Sequence, residues 1–480
     1  MPQGFEPVVG LEVHAQLLTE TKLFCSCSAR FGAPPNTLTC PVCAGHPGTL
    51  PVLNERALEL AIAAGLAFGC RIARYTKFDR KNYFYPDLPK GYQITQYDLP
   101  LCSHGALEVE TEDGRKRIGI RRIHLEEDSG KSIHDEATGR TAIDLNRCGT
   151  ALIEIVSEPD IRSSAEAHAY LVMLRRTLRY LGISDCEMQE GSLRVDVNVS
   201  VRPKGSDEMY TPVEIKNLGS FRMVAAAIDY EMERQTQAFL RGEKPRKQTM
   251  LWDDQAKATR PMRSKELAHE YRYFPEPDLP PLDVTEEMIE RARASMCELP
   301  AERKERFVSR MGLTPYEAEV LTAEKELADY FERVAELCGN PSDAARWVSG
   351  EVLAAVKERG GLKAGFPVEA GRLAALVKMV REGKVTLASA RREVWPRLIE
   401  SGEEPARIVE RLGLSSIGED ELDRLMDEII ASLPRIAEDI RGGKKNAVNV
   451  LVGQLMKRTR GQADAKAARS AFLRKLGVEG

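Results

Sequence analysis

Near its start the chain changes polarity at every residue. Leu11, Val13, Ala15 and Leu17 are apolar, and Glu12, His14 and Gln16 lie between them. Side chains switch faces at each step along a strand, so the pattern predicts a strand over residues 10–17. One face is built for a core. The other carries a carboxylate, an imidazole and an amide in a row. The same alternation returns in 193–201, where Arg194, Asp196, Asn198 and Ser200 oppose five apolar residues, and further strands are predicted over 117–125, 151–156 and 213–217.

Apolar residues at i, i+3 and i+4 predict helices over 54–68, 165–181 and 221–241. These elements do not alternate regularly, so the expected fold class is α+β with a largely antiparallel sheet. The run Pro275-Glu276-Pro277-Asp278-Leu279-Pro280-Pro281 reads as an extended connector. Beyond it the periodicity is nearly all helical, broken at Gly360-Gly361, at Gly365-Phe366-Pro367 and over 401–405. The expected plan is an α+β domain over 1–294, a helical domain over 295–402 and a small helical tail over 403–480.

Composition fits this plan. Of 480 residues, 42% are hydrophobic and 30% charged, as in a soluble globular protein. No apolar run approaches the ~18–20 residues a membrane span needs. The opening Met1-Pro2-Gln3-Gly4 lacks the basic-then-apolar pattern of a secretory signal, so the expected location is cytoplasmic. Net charge is 69 − 73 = −4, which argues against wholesale nucleic-acid coating. The segment 434–480 departs from that average, with 11 Lys/Arg against 4 Asp/Glu, a local 11 − 4 = +7. A polyanion is expected to dock there. Val448, Leu451, Val452, Leu455 and Met456 fall on one helical face within it, which a solvated amphipathic helix would also show.

Chemistry enters with the cysteines. Cys25-Ser26-Cys27 and Cys40-Pro41-Val42-Cys43 are two close pairs joined by the turn-forming Gly32-Ala33-Pro34-Pro35-Asn36. Four thiolates so spaced suit tetrahedral, structural zinc over 25–43, with His46 nearby as an orienting group. Four unliganded thiols are the plain alternative; a redox Cys-x-x-Cys leaves the first pair unexplained. The other six cysteines (Cys70, Cys102, Cys148, Cys186, Cys297 and Cys338) read as small buried apolar groups.

Acids recur on the polar strand faces: His124 with Glu126, Glu127 and Asp128 behind them, Glu154 between Ile153 and Ile155, and Glu214 with Lys216. A single such strand is most simply a solvated sheet face. Converging acids repel unless a cation sits between them. Oxygen-rich sites with one imidazole suit Mg²⁺ or Mn²⁺, whose natural use is to bridge nucleotide phosphates. Ser129-Gly130-Lys131-Ser132 contains Gly-Lys-Ser but follows acids instead of a glycine cradle, so it is no P-loop. The segment 79–93 interleaves Lys81 and Lys90 with Tyr83, Phe84, Tyr85 and Tyr92, and 271–277 is similar. Both suit phosphate neutralisation with stacking, and both suit an aromatic loop packed on the sheet.

Taken together, the stretches 9–14, 78–96, 124–131, 144–161, 190–200, 214–220, 270–277 and 443–461 resemble the B subunits of bacterial aspartyl/glutamyl-tRNA amidotransferases over essentially the whole chain. Only some members of that family carry the zinc cysteines. The resemblance implies an α+β cradle domain similar to glutamine synthetase, and a ligase that uses ATP to phosphorylate the side-chain carboxylate of misacylated Glu-tRNA(Gln) or Asp-tRNA(Asn). Ammonia then displaces the phosphate. It implies a heterotrimer, with an A subunit that hydrolyses glutamine, a small C subunit, and an internal channel carrying ammonia.

On the matching positions, Glu12, His14, Glu126 and Glu214 are expected at or next to Mg²⁺. Glu127, Glu154, Glu190 and Asp196 are expected as further acids of the same pocket, and Lys81, Tyr83, Lys90 and Lys216 as ATP or phosphate contacts. The rival class is a non-catalytic, zinc-containing tRNA-binding adaptor. A self-sufficient RNA-modifying ligase is a second rival.

Overall fold

The computed structural model of the chain describes residues 4–135, 137–243, 246–262, 268–414, 419–459 and 463–478. Arg460 and Gly461, which close the 443–461 stretch, lie outside the described residues. The chain forms two compact units, Met1–Leu299 and Pro300–Gly480.

The first unit is a mixed α+β fold built on one 12-stranded sheet. Its strands are β1 (Phe5–Gln16), β2 (Arg71–Ile72), β3 (Asp79–Asn82), β4 (Tyr92–Thr95), β5 (Cys102–Thr111), β6 (Gly114–Glu127), β7 (Ala151–Ser157), β8 (Leu193–Pro203), β9 (Val213–Lys216), β10 (Thr249–Asp253), β11 (Ala258–Pro261) and β12 (Phe274–Pro275). The order is β11-β10-β9-β8-β1-β7-β6-β4-β3-β12, with β5 pairing β6 and β2. Every pair is antiparallel except β9–β10, where Glu214 and Ile215 face Thr249 and Met250 in parallel. The five expected strands are all present. The short strands β10 and β11 at one end of the sheet were not expected, because Thr249-Met250-Leu251-Trp252-Asp253 shows no alternation.

Helices α1 (Glu55–Ala67), α2 (Ser164–Tyr180) and α3 (Phe221–Leu240) match the three expected helices to within a residue. Each starts on a side-chain cap. Asn54 accepts from the Ala57 N–H, Ser163 from Glu166 and Ser220 from Met223. Their apolar stripes join Leu11, Val13, Ala15, Ile123, Leu125, Ile153, Ile155, Val195 and Val197 in one core. The helices therefore cover one sheet face and leave the opposite residues of the same strands for other uses.

The second unit is helical. Phe307 packs edge-on against Phe331, centroids 4.9 Å apart, and Tyr330 stacks on Phe366. A separate apolar cluster gathers Met426, Ile429, Ala437, Ile440 and Phe472 around the helix Val448–Arg458. Val448, Leu451 and Leu455 are buried there, with Val452 and Met456 packed against them, which is the face the spacing predicts. No helix among the described residues is long and apolar enough to cross a membrane.

Candidate active site

Strand register assembles the site. Residues directly opposite in an antiparallel pair project to the same side. His14 faces Glu154 across β1–β7, and Glu154 faces His124 across β7–β6. Glu12 faces Asp196 across β1–β8, and Asn198 faces Glu214 across β8–β9. The polar positions of five strands thus form two adjoining rows on the face away from the helices. They floor a cavity of about 930 Å³ lined by Glu12, His14, Lys81, Tyr83, Glu126, Glu154, Asp196, Glu214 and Lys216, among others.

One row holds an imidazole between acids. His14 Nε2 lies 3.1 Å from Glu154 Oε2 and 3.8 Å from Glu126 Oε1. His124 is buried behind them, its Nε2 3.7 Å from Glu126 Oε2 and 3.9 Å from Glu154 Oε2. The Thr95 hydroxyl donates to Glu126 Oε2 at 3.1 Å. Burial alone would lower His14. Its hydrogen bond to Glu154 and the charges of Glu154 and Glu126 outweigh that and hold it above its ordinary value. Burial would raise Glu154, yet the charge of His124 and the hydrogen bond from His14 keep it well below the usual carboxylate range.

The other row holds three acids. One oxygen from each of Glu12, Asp196 and Glu214 lies within 4.8 Å of the others. The Asn198 amide donates to Glu12 Oε1 at 3.0 Å, and the Thr249 hydroxyl to Glu214 Oε2 at 3.0 Å. The Lys216 ammonium pairs with Asp196 and reaches Glu214 Oε1 at 3.2 Å. Burial would lower Lys216, but Asp196 and Glu214 raise it above the usual lysine value. His14, Glu126 and Glu154 form a second set of that size. Clustered carboxylates with amide and hydroxyl neighbours are the donor set that Mg²⁺ or Mn²⁺ prefers.

The wall beside these rows is aromatic. Tyr97 and Tyr273 stack at 3.9 Å between centroids, and Tyr83 and Tyr271 meet edge-on. Lys81 Nζ sits 5.1 Å from the Tyr271 ring centre and 5.7 Å from that of Tyr83. Burial opposes the charge of Lys81; Glu126 sustains it.

Three expected pocket residues lie elsewhere. Glu127 follows Glu126 in β6 and so points to the other side of the sheet, opposite Ala151. There it forms a buried ion pair with Lys90 and accepts from the Ile94 N–H at 2.9 Å. Both line a separate cavity of about 200 Å³ beside Cys25 and Cys43. Glu190 sits in the turn before β8, outside the alternation, and borders a groove with Gln16, Leu18 and Phe31. Arg122 lines the main cavity and was not singled out from sequence. It precedes His124 and Glu126 by two and four residues, a parity that would have placed it on their face.

The four sulfurs of Cys25, Cys27, Cys40 and Cys43 lie within 4.8 Å of one another, with Cys40 and Cys43 Sγ 3.9 Å apart. A tetrahedron with ~2.3 Å zinc–sulfur bonds has edges of about 3.8 Å, so the geometry fits zinc. The Cys40 N–H donates to Cys43 Sγ at 3.2 Å. The hydrogen bond from Cys25 draws the Cys43 thiol down to about 4. Cys70, Cys102, Cys148, Cys186 and Cys338 are buried as expected, whereas Cys297 is only half-buried.

Fold and site together define a class: an α+β domain whose uncovered sheet face carries two adjoining carboxylate clusters suited to divalent cations. The comparisons supply the family. Residues 7–290 match the GatB/GatE catalytic domain and residues 329–476 the GatB domain. The chain is 50% identical over 461 residues to the B subunit of the aspartyl/glutamyl-tRNA(Asn/Gln) amidotransferase of Thermoanaerobacter pseudethanolicus, covering 96% of this chain and 97% of that one. The protein of the same name from Carboxydothermus hydrogenoformans is 48% identical over 98% of this chain and 99% of its own length. That of Thermosynechococcus vestitus is 50% identical over 98% and 96%. The chain belongs to the family of aspartyl/glutamyl-tRNA(Asn/Gln) amidotransferase B subunits.

Proposed function

We propose that this chain is the kinase-and-amidation subunit of a tRNA-dependent amidotransferase. It phosphorylates the side-chain carboxylate of Glu-tRNA(Gln), Asp-tRNA(Asn) or both with ATP, then releases phosphate as ammonia attacks. The observation that carries the reading is the pair of cation-suited clusters, Glu12/Asp196/Glu214 and His14/Glu126/Glu154, on one sheet face under an aromatic wall.

A carboxylate is a poor acyl donor because its leaving group would be oxide. Transfer of the γ-phosphoryl group to a carboxylate oxygen, with departure of ADP, creates a good leaving group. Ammonia then adds to the acyl carbon, phosphate departs and a proton is lost, giving the amide. Mg²⁺ held by the two clusters would offset charge on the phosphates. Lys81 and Lys216, which line the same cavity, would neutralise phosphoryl oxygens. Tyr83, Tyr97, Tyr271 and Tyr273 offer stacking surface for a base. Glu154 holds the His14 ring in place.

The fold is read as similar to glutamine synthetase, whose reaction has the same acyl-phosphate logic. Ammonia is supplied by a glutaminase A subunit, with a small C subunit completing a cytoplasmic heterotrimer. The segment 403–480, with its basic excess, is read as the tRNA-binding tail, and the four cysteines as a structural zinc site. The test is phosphate release from [γ-³²P]ATP by the assembled enzyme with misacylated and with correctly acylated tRNA. Release that depends on Glu-tRNA(Gln) or Asp-tRNA(Asn) supports the reading. Tight tRNA binding without any such release would instead establish the adaptor.

A further inference from the structure

Lys22 is one of the largest fully buried side chains in the molecule, at 0% exposure. Lysine is almost never fully buried without a charge partner, because desolvating an ammonium is costly. Among the described residues no carboxylate pairs with it. Its Nζ donates to the Leu38 carbonyl at 2.7 Å and to Cys43 Sγ at 3.5 Å. Glu127, which lines the adjoining cavity, is committed to Lys90.

The backbone of Lys22 is tied to the same site, its N–H donating to the Cys27 carbonyl at 2.9 Å. One residue thus bonds to the first cysteine pair through its main chain and to the second through its ammonium. Gly149 packs on the same site: a β-carbon there would press on Cys43 Cβ at 3.2 Å and touch Lys22 Cδ at 3.6 Å.

Four neutral thiols or two disulfides would leave the ammonium with no counter-charge, whereas a thiolate on Cys43, 3.5 Å away, supplies one. Four thiolates around a divalent metal carry −2, which Lys22 halves. We propose that Lys22 is the built-in counter-cation of the four-cysteine site, stabilising its thiolates and setting how tightly a divalent metal is held there. This rests on the zinc reading above and extends it to a residue three positions before the first cysteine.

The test uses the full chain in its complex. Wild type, Lys22→Met, Lys22→Gln and Lys22→Arg are compared for zinc content, for zinc affinity by chelator competition, and for the thiolate-to-cobalt absorption of the Co²⁺-loaded form. Lys22→Met and Lys22→Gln should keep the tetrathiolate cobalt spectrum and lose roughly 10- to 100-fold in affinity. Lys22→Arg should recover most of that loss. Should Lys22→Met fail to fold, Lys22→Gln against Lys22→Arg decides. Wild-type affinity in Lys22→Gln, or equal weakness in Lys22→Arg and Lys22→Gln, overturns the inference. Wild type with no metal and four free thiols removes the zinc reading itself, a result no Lys22 variant is needed to see.

Discussion

Glu126 and Glu127 are consecutive in β6 and face opposite sides of the sheet. Glu126 looks into the cavity with His14 and Glu154. Glu127 is locked to Lys90 behind the strand. Adjacent carboxylates therefore hold different offices, one toward substrate and one toward the fold.

Their conservative substitutions should separate accordingly. Glu127→Gln leaves the Lys90 ammonium buried and unpaired, and should cost about 3–5 kcal/mol of stability. Glu126→Gln should abolish tRNA-dependent phosphate release, which Glu127→Gln should spare in the protein that remains folded. Urea unfolding beside the phosphate assay reads both. Phosphate release that survives Glu126→Gln, or is lost in folded Glu127→Gln, would contradict the assignment of faces.

The two carboxylate clusters should titrate as separate cation sites. Glu154→Gln should remove one Mn²⁺ equivalent and Asp196→Asn the other, counted by electron paramagnetic resonance. Glu12→Ala or His14→Ala should abolish ATP-dependent phosphorylation of Glu-tRNA while glutaminase activity in the complex survives. Wild-type amidation in either alanine variant would sink the site.

Acid stability should depend on Glu231 in α3. This carboxylate is fully buried and accepts from Arg234 Nε at 2.8 Å and from the Thr259 hydroxyl at 2.5 Å. Burial would raise it, but the hydrogen bonds from Arg234, Thr259 and Gln235 outweigh burial and hold it below its ordinary 4.5. The folded state thus binds the proton more weakly than the unfolded chain. The resulting stability is fully present above about 4.5 and fades as pH falls through the lower, folded value. Glu231→Gln should lose about 1–3 kcal/mol at neutral pH, and its gap to wild type should close on acidification. A gap independent of pH would contradict this.

Removing residues 403–480 should raise KM for tRNA far more than KM for ATP. That segment forms an apolar cluster of its own around Leu451, Leu455 and Phe472, and the cavity proposed for ATP is lined by described residues of the first unit. Steady-state kinetics with each substrate varied in turn distinguishes the cases. Equal effects on both would argue against a tRNA-binding tail.

Much of the site was legible because its strands alternate strictly. The period placed Glu12, His14, Asp196, Glu154 and Glu214 on polar faces before any pairing was known. Register was not legible: nothing local says that His14 meets Glu154, a contact 140 positions away along the chain. Glu127 was expected in the pocket from the family resemblance; its parity in β6 puts it on the opposite face from Glu126. Glu190 was likewise expected from the resemblance alone; it sits in the turn before β8, where no alternation fixes a face. Strands β10 and β11 were not legible because Met250, Leu251 and Trp252 are apolar in succession and β11 is only four residues long, so Thr249, which steadies Glu214, was not legible either.

The same backbone segments supply core and chemistry on alternate residues, and this bears on how the family can vary. A point change at Val13 or at His14 injures one function and spares the other. A one-residue insertion or deletion within β1 or β7 would exchange the two sets beyond it, driving carboxylates into the helix layer and valines into the cavity. The central strands should therefore vary by substitution while keeping their length, and length differences among relatives should gather in the turns, such as the hairpin between Lys131–Asp135 and Arg140–Asp144.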